Sequence, residues 1–113
     1  MSKPKLRDVA GAPAWTFGTD TVEVSLTRSG GQTAPVSFYA DTADPVQPYY
    51  ISPWQGERQT IEEPVLRPLR GDFFCLPFGA NPPYRGEAHG VHGETATRDW
   101  TLRDVSTDGA VTT

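Results

Sequence analysis

Hydrophobic and polar residues alternate most clearly along Thr21-Val-Glu-Val-Ser-Leu-Thr-Arg28. Val22, Val24 and Leu26 fall on one side there, and Thr21, Glu23, Ser25 and Thr27 on the other. A period of two is that of a half-buried strand. Ser29-Gly30-Gly31-Gln32 supplies the positive-φ residues of a hairpin turn, so Pro35-Val-Ser-Phe-Tyr-Ala40 reads as the returning strand. Trp15-Thr-Phe17 is a shorter apolar strand or anchor. Residues 1–14 read as a polar, mobile lead-in to a β-domain spanning 15–113. Between Asp41 and Pro68, prolines at 45, 48, 53, 64 and 68 remove amide donors. A central strand or long helix is excluded there, which leaves a long connection with room for one edge strand.

The second half of the chain has a different pattern. Gly71-Asp-Phe-Phe-Cys-Leu-Pro-Phe-Gly79 is apolar on consecutive residues, as in a strand covered on both faces and ended by Pro77 and Gly79. Residues 81–91 read as loop. Alternation resumes from Thr97 to Val105 with Trp100 and Leu102, and Asp108-Gly109 predicts a type I′ turn with residues 110–113 as the return strand. No segment has helical periodicity. The expected fold class is therefore all-β and antiparallel, a partial β-sandwich with long loops.

Composition narrows the function classes. At 113 residues the chain has room for one domain, and its 11 Gly and 11 Pro with 5 Phe, 4 Tyr and 3 Trp suit short strands and turns. A net charge of −4 with scattered Lys and Arg argues against nucleic-acid binding. No apolar run approaches the roughly twenty residues that span a bilayer, so no membrane partner is expected. Met1-Ser-Lys-Pro-Lys-Leu-Arg7 is charged but has no hydrophobic stretch behind it, unlike a secretory signal. One cysteine, Cys75, allows no internal disulfide and fits a reducing, cytoplasmic setting.

His92 is the leading candidate for chemistry. Gly90 and Gly93 flank it, which would keep neighbouring side chains away from a ligand, and imidazole exchanges a proton near neutral pH. It reads equally as a loop histidine bonded to a local carbonyl. His89, His92 and Glu94 are three potential metal ligands, but the spacing is neither the helical His-Glu-x-x-His nor the His-x-His of a cupin strand. No metal or cofactor is expected. Arg70 would fork onto sugar hydroxyls or pair with Asp72, Glu62 or Glu63. Trp54 offers a stacking surface, Trp100 reads as structural, and Cys75 reads as an inert core thiol. Nothing local marks Glu87 or Glu94 as a base.

The order of Arg70-Gly71, Leu76-Pro77-Phe78-Gly79 and His92-Gly93, with Trp100 eight residues beyond the histidine, resembles the galactose-mutarotase-like family. That family includes aldose 1-epimerases and hexose-6-phosphate mutarotases. Gly30-Gly31 followed by Ala34-Pro35-Val36-Ser37-Phe38 resembles its early hairpin, so the likeness covers residues 20–105. It implies the N-terminal half of a β-supersandwich, with His92 as the first active-site histidine at the ring oxygen and anomeric hydroxyl. Arg70 would approach the same aldose, with Asn81 helping to hold hydroxyls. The phosphosugar branch carries an arginine four residues after the histidine; Ala96 stands there, so a non-phosphorylated monosaccharide is the expected ligand. Family members run to nearly three times this length and draw a second histidine and a glutamate base from the later part. The chain is thus expected to be a fragment, or a reduced relative that completes its sandwich as a homo-oligomer. The other reading is a carbohydrate-binding or structural β-domain without turnover.

Overall fold

The computed structural model describes residues 3–109 and 111–113. Met1 and Ser2 of the expected lead-in and Ala110 of the expected last hairpin lie outside that set. Four antiparallel strands pair in chain order: β1 (Arg7–Val9), β2 (Ala12–Gly18), β3 (Val22–Thr27) and β4 (Thr33–Phe38). A separate ribbon joins β5 (Thr107–Asp108) to β6 (Val111–Thr112). Thr112 donates its hydroxyl to the Gly18 carbonyl at 3.0 Å and so ties the ribbon to the end of β2. Among the described residues, helical structure is confined to three 3-10 turns, Pro53–Gly56, Pro64–Leu66 and Thr95–Thr97. The protein is all-β and antiparallel.

The lead-in is shorter than the sequence suggests. Arg7 to Val9 already pair with Ala14 to Ala12, and the Asp8 carboxylate accepts from the Gly11 amide at 3.1 Å to shape the turn between β1 and β2. The expected hairpin forms between β3 and β4, with Gly30 and Gly31 both at positive φ.

The two faces of the sheet are packed unequally. Register puts Leu26 opposite Trp15, and Val24 opposite both Phe17 and Val36, so the large apolar residues share one side. Trp15 and Val36 are buried, but Val22, Val24, Leu26 and Phe17 are only half-buried. The opposite side carries Ala14, Ser25 and Thr27, all buried. Its polar groups are satisfied locally: Thr16 and Ser25 share a hydrogen bond of 2.9 Å, and the Thr27 hydroxyl donates to Ser29 O and accepts from the Gln32 amide. Alternation predicts the strand correctly. It does not predict that the polar side would be the better buried one.

Against this small-residue side lies a polar plug. Gln32 is fully buried; its side chain donates to Val65 O at 3.2 Å and accepts from the Arg70 amide at 2.7 Å. The proline-rich connection supplies the rest of the plug, with Ser52 and Val65 also buried. As expected, that connection holds no regular strand: Val46 bridges Phe38, Ile51 bridges Arg70, and prolines open the first two 3-10 turns.

Two expected strands are not formed. Residues 71–79 make isolated bridges, Asp72 to Thr33 and Leu76 to Gly93, and their burial alternates. Phe74, Leu76 and Phe78 are 56%, 69% and 78% exposed, so only one face of this segment is covered. Thr97–Val105 opens in a 3-10 turn and then runs extended, held by Asp99 bridging Ser29 and by Trp100 N donating to Arg28 O at 2.7 Å. Residues 71–79 lack the second covering layer that a consecutive apolar run implies, whereas Trp100 of the later segment packs over Gly31.

The molecule is correspondingly open. Its radius of gyration is 15.7 Å, where a compact domain of this length has about 13 Å. Accessible surface is 7843 Å², against roughly 6,100 Å² for a compact monomer. Among the described residues no helix is long and apolar enough to cross a membrane.

Candidate functional site

His92 is built into its loop by backbone contacts to a single residue. Its amide donates to Gly79 O at 2.9 Å, and its Nδ1 accepts from the Gly79 amide at 3.1 Å. An acceptor Nδ1 assigns the ring proton of neutral His92 to Nε2, leaving that N–H as a donor. The ring is half-buried and lies edge-on between Phe73, at 5.5 Å, and Phe78, at 5.3 Å between centroids. Phe78 is itself largely exposed, so this aromatic clamp stands at the surface. His92 adopts φ 63°, an uncommon conformation for a residue with a side chain.

Gly93 has a different purpose from the ligand clearance suggested by the sequence. A Cβ on Gly93 would lie 2.1 Å from Leu76 O, so glycine is required for the two backbones to meet in the Leu76–Gly93 bridge. Around Gly90 there is open space.

Asn81 joins the same knot. Its side-chain amide donates to Phe78 O at 2.7 Å and reaches Gly79 O at 3.4 Å, the carbonyl that also receives the His92 amide. Asn81 then opens onto a concavity of about 480 Å³ whose walls are Leu76, Pro77, Pro82, Pro83, Tyr84, Glu87 and His89. A two-residue turn makes this shape. Tyr84 and Glu87 exchange backbone hydrogen bonds of 2.9 Å across Arg85 and Gly86, both at positive φ, the type I′ geometry. The dipeptide Arg85-Gly86 was the signal in the sequence, but without alternating flanks it read as plain loop.

His89, considered only as a metal ligand, lines the concavity with Glu87, while His92 stands beside it through Gly79 and Asn81. His89 lies between two carboxylates, Glu87 at 3.5 Å and Glu94 at 3.4 Å, and Glu94 also pairs with Arg98 at 2.9 Å. The bonds from Arg98 and His89 hold the Glu94 carboxyl below the usual carboxylate range. Among the described residues no group of three or more His, Cys, Asp or Glu is gathered as for a metal ion, which leaves the cupin-like reading of His89, His92 and Glu94 without support.

Arg70 is the main correction. The sequence reading put its guanidinium on a substrate or in a surface ion pair, but the residue is fully buried. Nε donates to Pro68 O at 2.9 Å, Nη1 to Val9 O at 2.7 Å, and Nη2 to Ala10 O at 2.9 Å and Gln55 Oε1 at 3.2 Å. With its donors spent on the turn between β1 and β2, the side chain closes the sheet instead of touching a ligand. Burial lowers its pKa from the ordinary guanidinium value, with the charge of Asp8 acting in the opposite direction. Asp72, the expected ion-pair partner, instead accepts a hydrogen bond from Tyr49 and raises the Tyr49 pKa.

Trp100 has the structural role expected of it, with its indole packed over Gly31 and its N–H donating to Thr95 O at 3.0 Å. Cys75 is half-buried, not a core residue, and its thiol points to Phe73 O at 3.7 Å. Comparison with family models, with curated proteins and with solved structures gives no match to this chain.

Proposed function

We propose that this chain is an aldose-recognising β-domain of the aldose 1-epimerase kind, with the sugar seated over the concavity between Asn81 and His89. One observation carries the reading: His92 Nδ1 accepts from the Gly79 amide beside the concavity, which leaves Nε2–H as the remaining ring donor. Such a donor suits a pyranose ring oxygen, which can accept a proton but has none to give. Pro82, Pro83 and Tyr84 offer the apolar walls against which the C–H face of a sugar packs, and Asn81 and Glu87 offer polar partners for its hydroxyls.

Anomer exchange on this site would proceed by paired proton transfers. A base takes the anomeric hydroxyl proton while His92 Nε2–H hydrogen-bonds the ring oxygen, which takes up a proton from water as its bond to C1 breaks. The C1–O5 bond opens to the aldehyde, C1 rotates, and the ring recloses with both protons returned. Glu87 and His89 are the groups of this chain best placed on the wall for the base. Arg98, the arginine nearest Ala96, is paired with Glu94, so a non-phosphorylated aldose remains the favoured ligand. A cytoplasmic setting is part of this proposal and suits the lone thiol of Cys75.

Anomer exchange of glucose and galactose, followed by saturation-transfer NMR, tests the reading. Acceleration over buffer that falls by roughly 100-fold or more in His92→Ala supports it, the usual scale for losing one hydrogen-bond donor to a developing oxyanion. Acceleration unchanged in that variant rules His92 out.

A second reading, a structural or binding β-domain without turnover, is favoured by the excess of exposed surface. On the order of 1,700 Å² beyond a compact monomer is about twice what each partner buries in a standard interface. A second copy of the chain laid over Phe74, Leu76 and Phe78 would cover part of it. Native mass measurement at micromolar concentration tests this, with a dimer as the expected result and a monomer as the contrary one.

A further inference from the structure

A second concavity, of about 360 Å³, lies where the proline-rich connection folds back on itself, and it shares no wall residue with the His89 concavity. Trp54 forms part of its wall, and two bonds fix that wall. Trp54 Nε1 donates to Leu66 O at 2.9 Å, and Gln55 Nε2 donates to Arg67 O at 2.7 Å. The scaffold behind Gln55 is the buried Arg70 plug, so this cleft is anchored to the best-packed part of the fold.

The remaining walls are polar and chemically mixed. Glu57, Gln59, Thr60 and Arg67 line the cleft. Gln59 spends its amide donor on one oxygen of Glu57, which leaves the other Glu57 oxygen and the Gln59 carbonyl as acceptors. Arg67 commits Nε to Ile61 O at 2.8 Å and Nη2 to Glu62 O at 3.1 Å, leaving Nη1 as a donor fixed in place. One carboxylate and one guanidinium cancel in charge, so neither an anion nor a cation is favoured. An indole with acceptors, a hydroxyl and a donor around it matches a ring that is apolar on its faces and hydroxylated at its rim. The volume is at the lower end of small-molecule sites, roughly 300–1,000 Å³, which suits one ring and not an extended chain.

We propose that the Trp54 cleft is a separate, non-catalytic binding site for a single uncharged pyranose unit. Its role is retention: a glycan held there by one unit stays near the protein whatever happens at His92.

Methyl α-glucoside, methyl β-galactoside and cellobiose serve as probes in a ¹H–¹⁵N NMR titration of the full chain. The methyl glycosides cannot open their rings, so the result does not depend on the anomer chemistry proposed for His92. Saturable shifts are expected at the Trp54 indole N–H and the Gln59 side-chain amide, retained in His92→Ala. Glu57→Gln and Thr60→Ala, both at exposed positions, should weaken binding by about threefold to tenfold, and Trp54→Phe by about tenfold. Shifts confined to residues 81–92, an equal response to glycerol, or affinity unchanged in Glu57→Gln and Thr60→Ala together would each overturn the assignment.

Discussion

The sheet with its Arg70 plug and the segment from Asp72 to Val105 are contiguous in the chain yet obey different rules. In the first, strands pair residue by residue, and buried polar groups are matched one to one by Gln32, Thr27 and Arg70. In the second, isolated bridges and side-chain contacts replace ladders, and Phe74, Leu76 and Phe78 face outward. A region closed by its own hydrogen bonds can afford rigidity. One held at single points, such as Gly79 with His92, is where opening and ligand contact are inexpensive in free energy.

Removing the plug should have the largest effect. Arg70→Ala strands the Val9, Ala10 and Pro68 carbonyls, and hydrogen bonds to a charged group contribute about 1.5–3 kcal/mol each. A loss of about 3 kcal/mol or more is expected in urea unfolding, a large share of the ~5–15 kcal/mol available to a domain. An Arg70→Ala protein of unchanged stability would erase the distinction between the regions.

Gly93→Ala comes next. The methyl group would collide with Leu76 O at a positive-φ position, so about 2 kcal/mol should be lost. Faster hydrogen exchange should stay confined to residues 72–94; equal loosening of β2 and β3 would show the two parts to be one cooperative unit.

His92→Ala should cost less, about 1 kcal/mol, since it frees one half-buried Gly79 amide and two ring contacts. Thermal melting should therefore fall by only about 4 °C while any catalysed anomer exchange is lost.

The smallest effect concerns pH. Glu94 has its folded-state pKa lowered by Arg98 and His89, so its contribution is present above the unfolded carboxyl pKa and disappears as pH falls through the folded value. Amide protection factors around Glu94, taken against the intrinsic rate at each pH, should fall on that acid side, and Glu94→Gln should remove the dependence. Because the carboxylate is exposed, global stability should hardly respond.

Legibility in the sequence followed the same division. β3, its glycine hairpin and β4 could be read because period-two alternation and turn chemistry are local. The absence of long helix was legible from Pro45 to Pro68 for the same reason. Arg70 was misjudged because its partners lie about sixty residues away, and no local pattern announces a buried guanidinium. The consecutive apolar run at Phe73–Phe78 suggested full cover because hydrophobicity records what a residue would bury against, not whether that layer is present. The half-burial of His92 between Phe73 and Phe78 has no local signal, and His89 entered the cavity wall through an Arg85-Gly86 turn whose flanks carry no strand pattern.

The reach of Arg70 also sets an order on assembly. During synthesis, β1 through β4 leave the ribosome with the Val9 and Ala10 carbonyls still facing water, because their donor has yet to emerge. The first hairpins can flicker into existence early, but the corner between β1 and β2 is sealed only when residue 70 emerges. Nascent chains shorter than that should remain open to protease at Ala10, and those slightly longer should be resistant.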